Sequence, residues 1–150
     1  MTPMRDERAQ AMATVCALID EIDHGSDESV AATVDRLTAP EHAALLRAVV
    51  DELLQLSAAA VHAIAGEPGP DATYMLDLCD AEGVPTDIDR VDPPQRAVIR
   101  ALLARLAGHE DDVAAQLDMA LATADRKDAA DVLSTALVWA MDTLSRNDSW

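Results

Sequence analysis

Apolar side chains recur along this chain at steps of three and four, and no stretch alternates apolar with polar as a half-buried strand would. The first such run predicts a helix from about Pro3 to Asp23, with Met12, Cys16, Ile19 and Ile22 on one stripe and Gly25 ending it. A short second helix follows, capped by Ser26 or Asp27 and lined inside by Val30, Val34 and Leu37. Thr38-Ala39-Pro40-Glu41 reads as a capping box, Thr38 as N-cap with Glu41 reaching back and Pro40 in the first turn. The stripe Leu46, Val50, Leu53, Ser57, Val61, Ile64 then keeps its phase up to Gly66. A helix over about 39–65 would be roughly 40 Å long and is the natural central strut.

Glu67-Pro68-Gly69-Pro70 breaks the pattern. A fourth helix is expected over Asp71–Glu82, with Met75, Leu78 and Cys79 inward, and then a loop from Gly83 through Val91. The fifth begins at Asp92 as N-cap, with Pro93 in the first position and Gln95 completing a box. Val98, Ile99, Leu102, Leu103 and Leu106 line it and Gly108 closes it. The sixth opens with Glu110, Asp111 and Asp112, where the helix dipole favours acids, and continues through Val113, Leu117, Ala120 and Leu121. Asp125 to Asp128 is expected to turn the chain. A seventh helix then runs to about Ser145 with Val132, Leu133, Ala136, Leu137, Ala140, Met141 and Leu144 on its apolar face. Residues 146–150 are expected to be loose.

These elements imply an all-α protein: a single domain over 1–150, an antiparallel bundle of about seven helices around the helix at about 39–65. A subdomain break would fall at 67–70, but each half would then hold only about 70 residues, near the low end for an independent core. Composition points the same way. The chain has 30 Ala, no Phe, one Tyr and two Trp. Ala and Leu lose little rotamer freedom in a helix, whereas the β-branched and aromatic residues that favour sheets are scarce. Gly108 through Leu121 resembles the second helix of a tetratricopeptide unit, with a small residue at the turn and then small and large apolar residues along the face. The aromatic positions of such a unit are absent and no repeat of that period is seen elsewhere, so the resemblance implies a helix-turn-helix stack and no more.

The formal net charge is −17, from 28 acids against 11 bases. It is spread evenly, with 13 acids and 4 bases in residues 1–75 and 15 and 7 in the remainder. Direct nucleic-acid binding needs clustered Lys and Arg, and an anionic membrane surface needs the same, so neither is expected. The longest stretch without charge, Leu53 to Gly66, is too short to span a bilayer. The N-terminal residues carry charge with no apolar run behind them, as expected of a cytoplasmic protein. Cys16 and Cys79 form neither a disulfide framework nor a zinc pattern, and both sit at apolar positions where buried thiols are expected.

Candidate chemistry is sparse. Glu21-Ile22-Asp23-His24 has the E-x-x-H spacing of di-iron bundles, but the required second copy is missing. His42 and His62 would lie about 200° apart on one helix and cannot share a metal. The loop Asp87-Ile88-Asp89-Arg90-Val91-Asp92 lacks the glycine and distant glutamate of a calcium loop. Asp111-Asp112 lacks the spaced partner of magnesium-dependent chemistry, and no nucleophile elbow or phosphate loop is present. No metal and no cofactor is expected. Arg96 and Arg100, one turn apart with Arg90 upstream, form the best basic spot; they suit a carboxylate or other anion, or pairing with acids of the last two helices. Tyr74, His62 and Trp139 are the residues to inspect for a ligand in the core, and Trp150 for a docking tag. The sequence points to a non-catalytic protein–protein interaction module, a regulator or adaptor. Its expected partner is another protein, with basic ones favoured by charge, or a second copy of the chain. The alternatives are an acidic inhibitor such as an immunity protein or DNA mimic acting on a basic target, and a small-molecule binder or enzyme.

Overall fold

The computed structural model describes residues 3–65, 90–122 and 125–148. Among these residues there are six α-helices and no strand: α1 (Pro3–Asp23), α2 (Asp27–Leu37), α3 (Ala43–Ala65), α4 (Pro93–Leu106), α5 (Glu110–Ala122) and α6 (Arg126–Asp148). The fold is all-α. The helix expected over Asp71–Glu82, the break at 67–70, Tyr74, Cys79 and Trp150 lie outside the described residues. No helix among the described residues is long and apolar enough to cross a membrane.

Two helices end as their glycines require. Gly25 has φ 69° and Gly108 has φ 81°. Both values lie in the left-handed region, where a Cβ is costly. At each, the glycine N–H bonds back three residues and the next N–H bonds back five. The pairs are Gly25 to Ile22 and Ser26 to Glu21, and Gly108 to Arg105 and His109 to Ala104. This is the double closure that glycine allows at a helix end. It folds α1 back toward α2 and α4 back along α5. The α4–α5 hairpin is the helix-turn-helix that the segment from Gly108 to Leu121 implied.

The capping box at Thr38 does not form. Thr38 has helical backbone angles, with φ -85° and ψ -1°. An N-cap needs extended ones. Its hydroxyl donates instead to the carbonyls of Val34 and Asp35, at 2.9 and 3.2 Å, so it closes α2. Pro40–His42 makes one turn of 3-10 helix before α3 begins at Ala43. Asp92 stands at the N-cap of α4, yet its side chain makes no capping bond, so that box is also unformed. Asp125 does cap: it accepts the Asp128 N–H at 2.8 Å, and α6 starts at Arg126, within the segment expected to be a turn. At its other end α6 runs through to Asp148, beyond the expected stop near Ser145.

The helix α3 is the hub, packing against α6, α1 and α4. Leu46, Val49, Val50, Leu53, Leu54, Ser57, Ala58 and Ala60 are all buried. That arc is far wider than one stripe, as expected for a helix covered on several sides. Ser57 tolerates burial because its hydroxyl donates to the Leu53 carbonyl at 2.9 Å. Buried side chains from all six helices join in one cluster, from Ala11, Val15 and Leu18 on α1 to Val132, Leu133, Ala136 and Ala140 on α6. On α1 the fully buried row is Ala11, Val15 and Leu18, one residue from the expected one, while Ile19 and Ile22 of the expected row are partly buried against the core. Cys16 is exposed and Met12 is 40% exposed, which corrects the buried-thiol reading of Cys16.

Ion pairs fasten helices to one another. Arg8 of α1 donates from Nε to buried Glu52 of α3 at 3.0 Å. Arg105 of α4 bonds Asp51 of α3 and, at 3.1 Å, Glu110 of α5. Arg47 of α3 reaches Asp118 of α5 at 2.9 Å. Arg126 of α6 reaches the Asp35 carboxylate of α2 at 3.0 Å and the Thr38 hydroxyl at 3.3 Å.

Candidate functional site

The histidines are dispersed. His24 closes α1, where its Nδ1 lies 2.8 Å from the Asp20 carbonyl and 3.3 Å from the Asp20 carboxylate. The hydrogen bond to that carbonyl, then the carboxylate charge and that of Asp23, raise its pKa from the ordinary imidazole value. His42 Nδ1 lies 2.9 Å from the Arg36 carbonyl, and His62 Nε2 lies 3.2 Å from the Leu106 carbonyl, tying α3 to the end of α4. Glu21 accepts a hydrogen bond from Thr33 of α2, so its part in the E-x-x-H spacing is structural. Among the described residues, no three His, Cys, Asp or Glu side chains are placed to share a metal ion. Trp139 is half-buried against the core.

Arg96 and Arg100 are where the structure departs most usefully from expectation. The sequence offers them for pairing with acids of the last two helices. Among the described residues neither makes an ion pair, whereas Arg8, Arg47, Arg105, Arg126 and Lys127 all do. Arg36 and Arg90 are likewise without one, but only Arg96 and Arg100 stand together at a cleft.

That cleft, about 490 Å³, lies between α4, α5 and α6. The helix α4 supplies Arg96, Ala97 and Arg100, with Asp92, Pro93 and Pro94 at its start. The helix α5 supplies Gln116, Met119 and Ala120, and α6 supplies Lys127, Asp128 and Asp131. The small residues Ala97 and Ala120 leave the space. Met119, 68% exposed, is the most exposed large apolar side chain among the described residues.

The two walls differ in charge. On α4, Arg96 and Arg100 are four residues apart and so point the same way. On α6, Lys127 sits 3.3 Å from Asp131, whose hydrogen bond and charge raise the lysine pKa, with further contributions from Asp128 and Asp92. On the α6 wall two carboxylates, Asp128 and Asp131, thus stand against one ammonium, leaving that wall with a local surplus of negative charge. The cleft can hold an occupant that offers carboxylates toward α4, apolar surface toward Met119, and neutral or basic groups toward α6.

Arg96 and Arg100 stand out in the sequence; Met119, Asp128 and Asp131 do not. Met119 falls outside the apolar stripe of α5, and its value lies in that exposure. Comparison with known proteins gave no match: no family model, no curated protein and no solved structure is significantly similar to this chain.

Proposed function

We propose that this protein is a non-catalytic interaction module, a regulator or adaptor, and that its working surface is the cleft between α4, α5 and α6. One observation carries the reading. Met119 is held out in the open beside two arginines that make no ion pair among the described residues. Exposed methionine is an adaptable contact for a partner, because its unbranched side chain repacks at little cost. Val138, 66% exposed on α6, adds apolar surface. It lies seven residues beyond Asp131 and hence on nearly the same face.

The acidic-inhibitor reading draws less support. Its carboxylates should gather on one face, yet exposed acids occur on α1, α2, α5 and α6 alike.

The test is a pull-down from the native host with the wild-type protein and a Met119→Asp variant, at low and at high salt. A specific partner retained by the wild type and lost by Met119→Asp supports the proposal. A basic partner that binds both proteins equally and dissociates in high salt favours the inhibitor. Recovery of no partner in either buffer overturns both.

A further inference from the structure

The cleft also constrains what enters it. Resting on the interaction reading above, we propose that its occupant is an amphipathic α-helix of a partner protein, carrying two carboxylates one turn apart that pair with Arg96 and Arg100.

Four features lead there. The first is spacing. Arg96 and Arg100 are separated by four residues, a rise of about 6 Å, which matches carboxylates at i and i+4 on a second helix. Guanidinium groups grip carboxylates in two parallel hydrogen bonds, so the match is directional as well as electrostatic.

The second is the floor. Ala97 and Ala120 are short, and both line the cleft. Helix axes pack within about 10 Å of one another, and the closest approaches need small facing side chains. Met119 beside them supplies the apolar contact that one face of an amphipathic helix needs.

The third is the opposite wall. On α6, Asp128 and Asp131 outnumber Lys127. A small free anion in the cleft would face those carboxylates as well as the arginines. A helix separates its flanks, placing acids toward α4 and neutral or basic residues toward α6, and so satisfies both walls at once.

The fourth is the charge of the whole chain. A second copy would add another −17 to the first and be repelled. A partner helix with acids on one flank and bases on the other carries no such penalty.

The experiment uses the full chain and a synthetic probe. The probe is a capped, fluorescein-labelled amphipathic peptide with Glu at i and i+4 on one flank and Lys on the other. Its control has both Glu replaced by Gln. Binding is read by anisotropy and by amide shifts in 15N–1H spectra. The expected result is saturable binding of the Glu peptide, with shifts centred on Arg96, Arg100, Met119 and Asp131. Affinity should fall at least about tenfold for the Gln peptide and for R96E/R100E, and stay unchanged for R36E. A Lys-pair peptide should recover binding to R96E/R100E, which shows that the variant is folded. Lack of saturation by about 1 mM Glu peptide overturns the proposal, as does equal affinity for wild type and R96E/R100E. So does self-association of the wild type in sedimentation equilibrium that R96E/R100E abolishes, because the occupant is then a second copy. A native partner captured equally by wild type and R96E/R100E removes this occupant and leaves the interaction reading intact. Capture of none removes the reading beneath it.

Discussion

Capping residues show what a single position settles. Gly25 and Gly108 were legible as helix ends because only glycine enters the left-handed region freely. Thr38, Asp92 and Asp125 all look like caps or turn residues in the sequence, and the structure treats them differently. Asp125 binds the Asp128 N–H, Asp92 makes no capping bond, and Thr38 closes the preceding helix. Asp125→Ala should therefore lower stability by about 1 kcal/mol in urea unfolding, and Asp92→Ala by no more than about half of that. Equal losses would mean that both side chains cap in solution. His24 offers a second check. Its pKa is raised in the folded protein, so the stability it contributes is fully present below the unfolded value near 6.5 and is lost as pH rises through the folded one. An NMR titration should place its midpoint above 6.5. Asp20→Ala should lower that midpoint only in part, because the main cause is the backbone carbonyl, which remains. A wild-type midpoint at or below 6.5 would contradict the geometry.

At the level of elements, helix existence is readable and helix phase is less so. On α1, the rows Met12–Cys16–Ile19 and Ala11–Val15–Leu18 are equally periodic and one residue apart. Ala11 is fully buried, so the small side chain faces the core and Met12 is turned outward. Hydropathy favours the larger residue, while close packing favours the smaller one. On α3 the stripe is right but too narrow, because a helix surrounded by α1, α4 and α6 buries more than one row. The same stripe separates strong positions from weak ones. Leu53→Ala, at full burial, should cost about 2–5 kcal/mol in chemical denaturation. Ile64→Ala, at the exposed end of the stripe, should cost less than about 1 kcal/mol. Comparable losses would place Ile64 in a contact beyond the described residues.

Across the whole molecule, charge and fold act in opposition. A net charge of −17 on a chain this small strains the compact state through self-repulsion. The interhelix pairs of Arg8, Arg47, Arg105 and Arg126 relieve only part of it. The pairs Arg47–Asp118 and Arg126–Asp35 are solvent-exposed and individually weak, those of Arg8 and Arg105 are partly buried, and the repulsion sums over every carboxylate. Screening should then stabilise the protein on balance. Raising NaCl from about 20 mM to about 500 mM at neutral pH should raise Tm by several degrees in thermal unfolding followed by circular dichroism. A falling Tm would show that the pairs outweigh the repulsion.

The all-α class, the order of the helices and the glycine closures follow from the sequence by itself. Each depends on local periodicity and backbone sterics, which act over a few residues wherever the chain goes. The cleft is of another kind. Arg96 and Arg100 can be seen together in the sequence because one helical turn joins them. Their lack of an ion pair among the described residues, the exposure of Met119 and the carboxylates of Asp128 and Asp131 across from them depend on how α4, α5 and α6 are set against one another. That arrangement is decided by which apolar faces bury against α3, a long-range outcome that no spacing along the chain records.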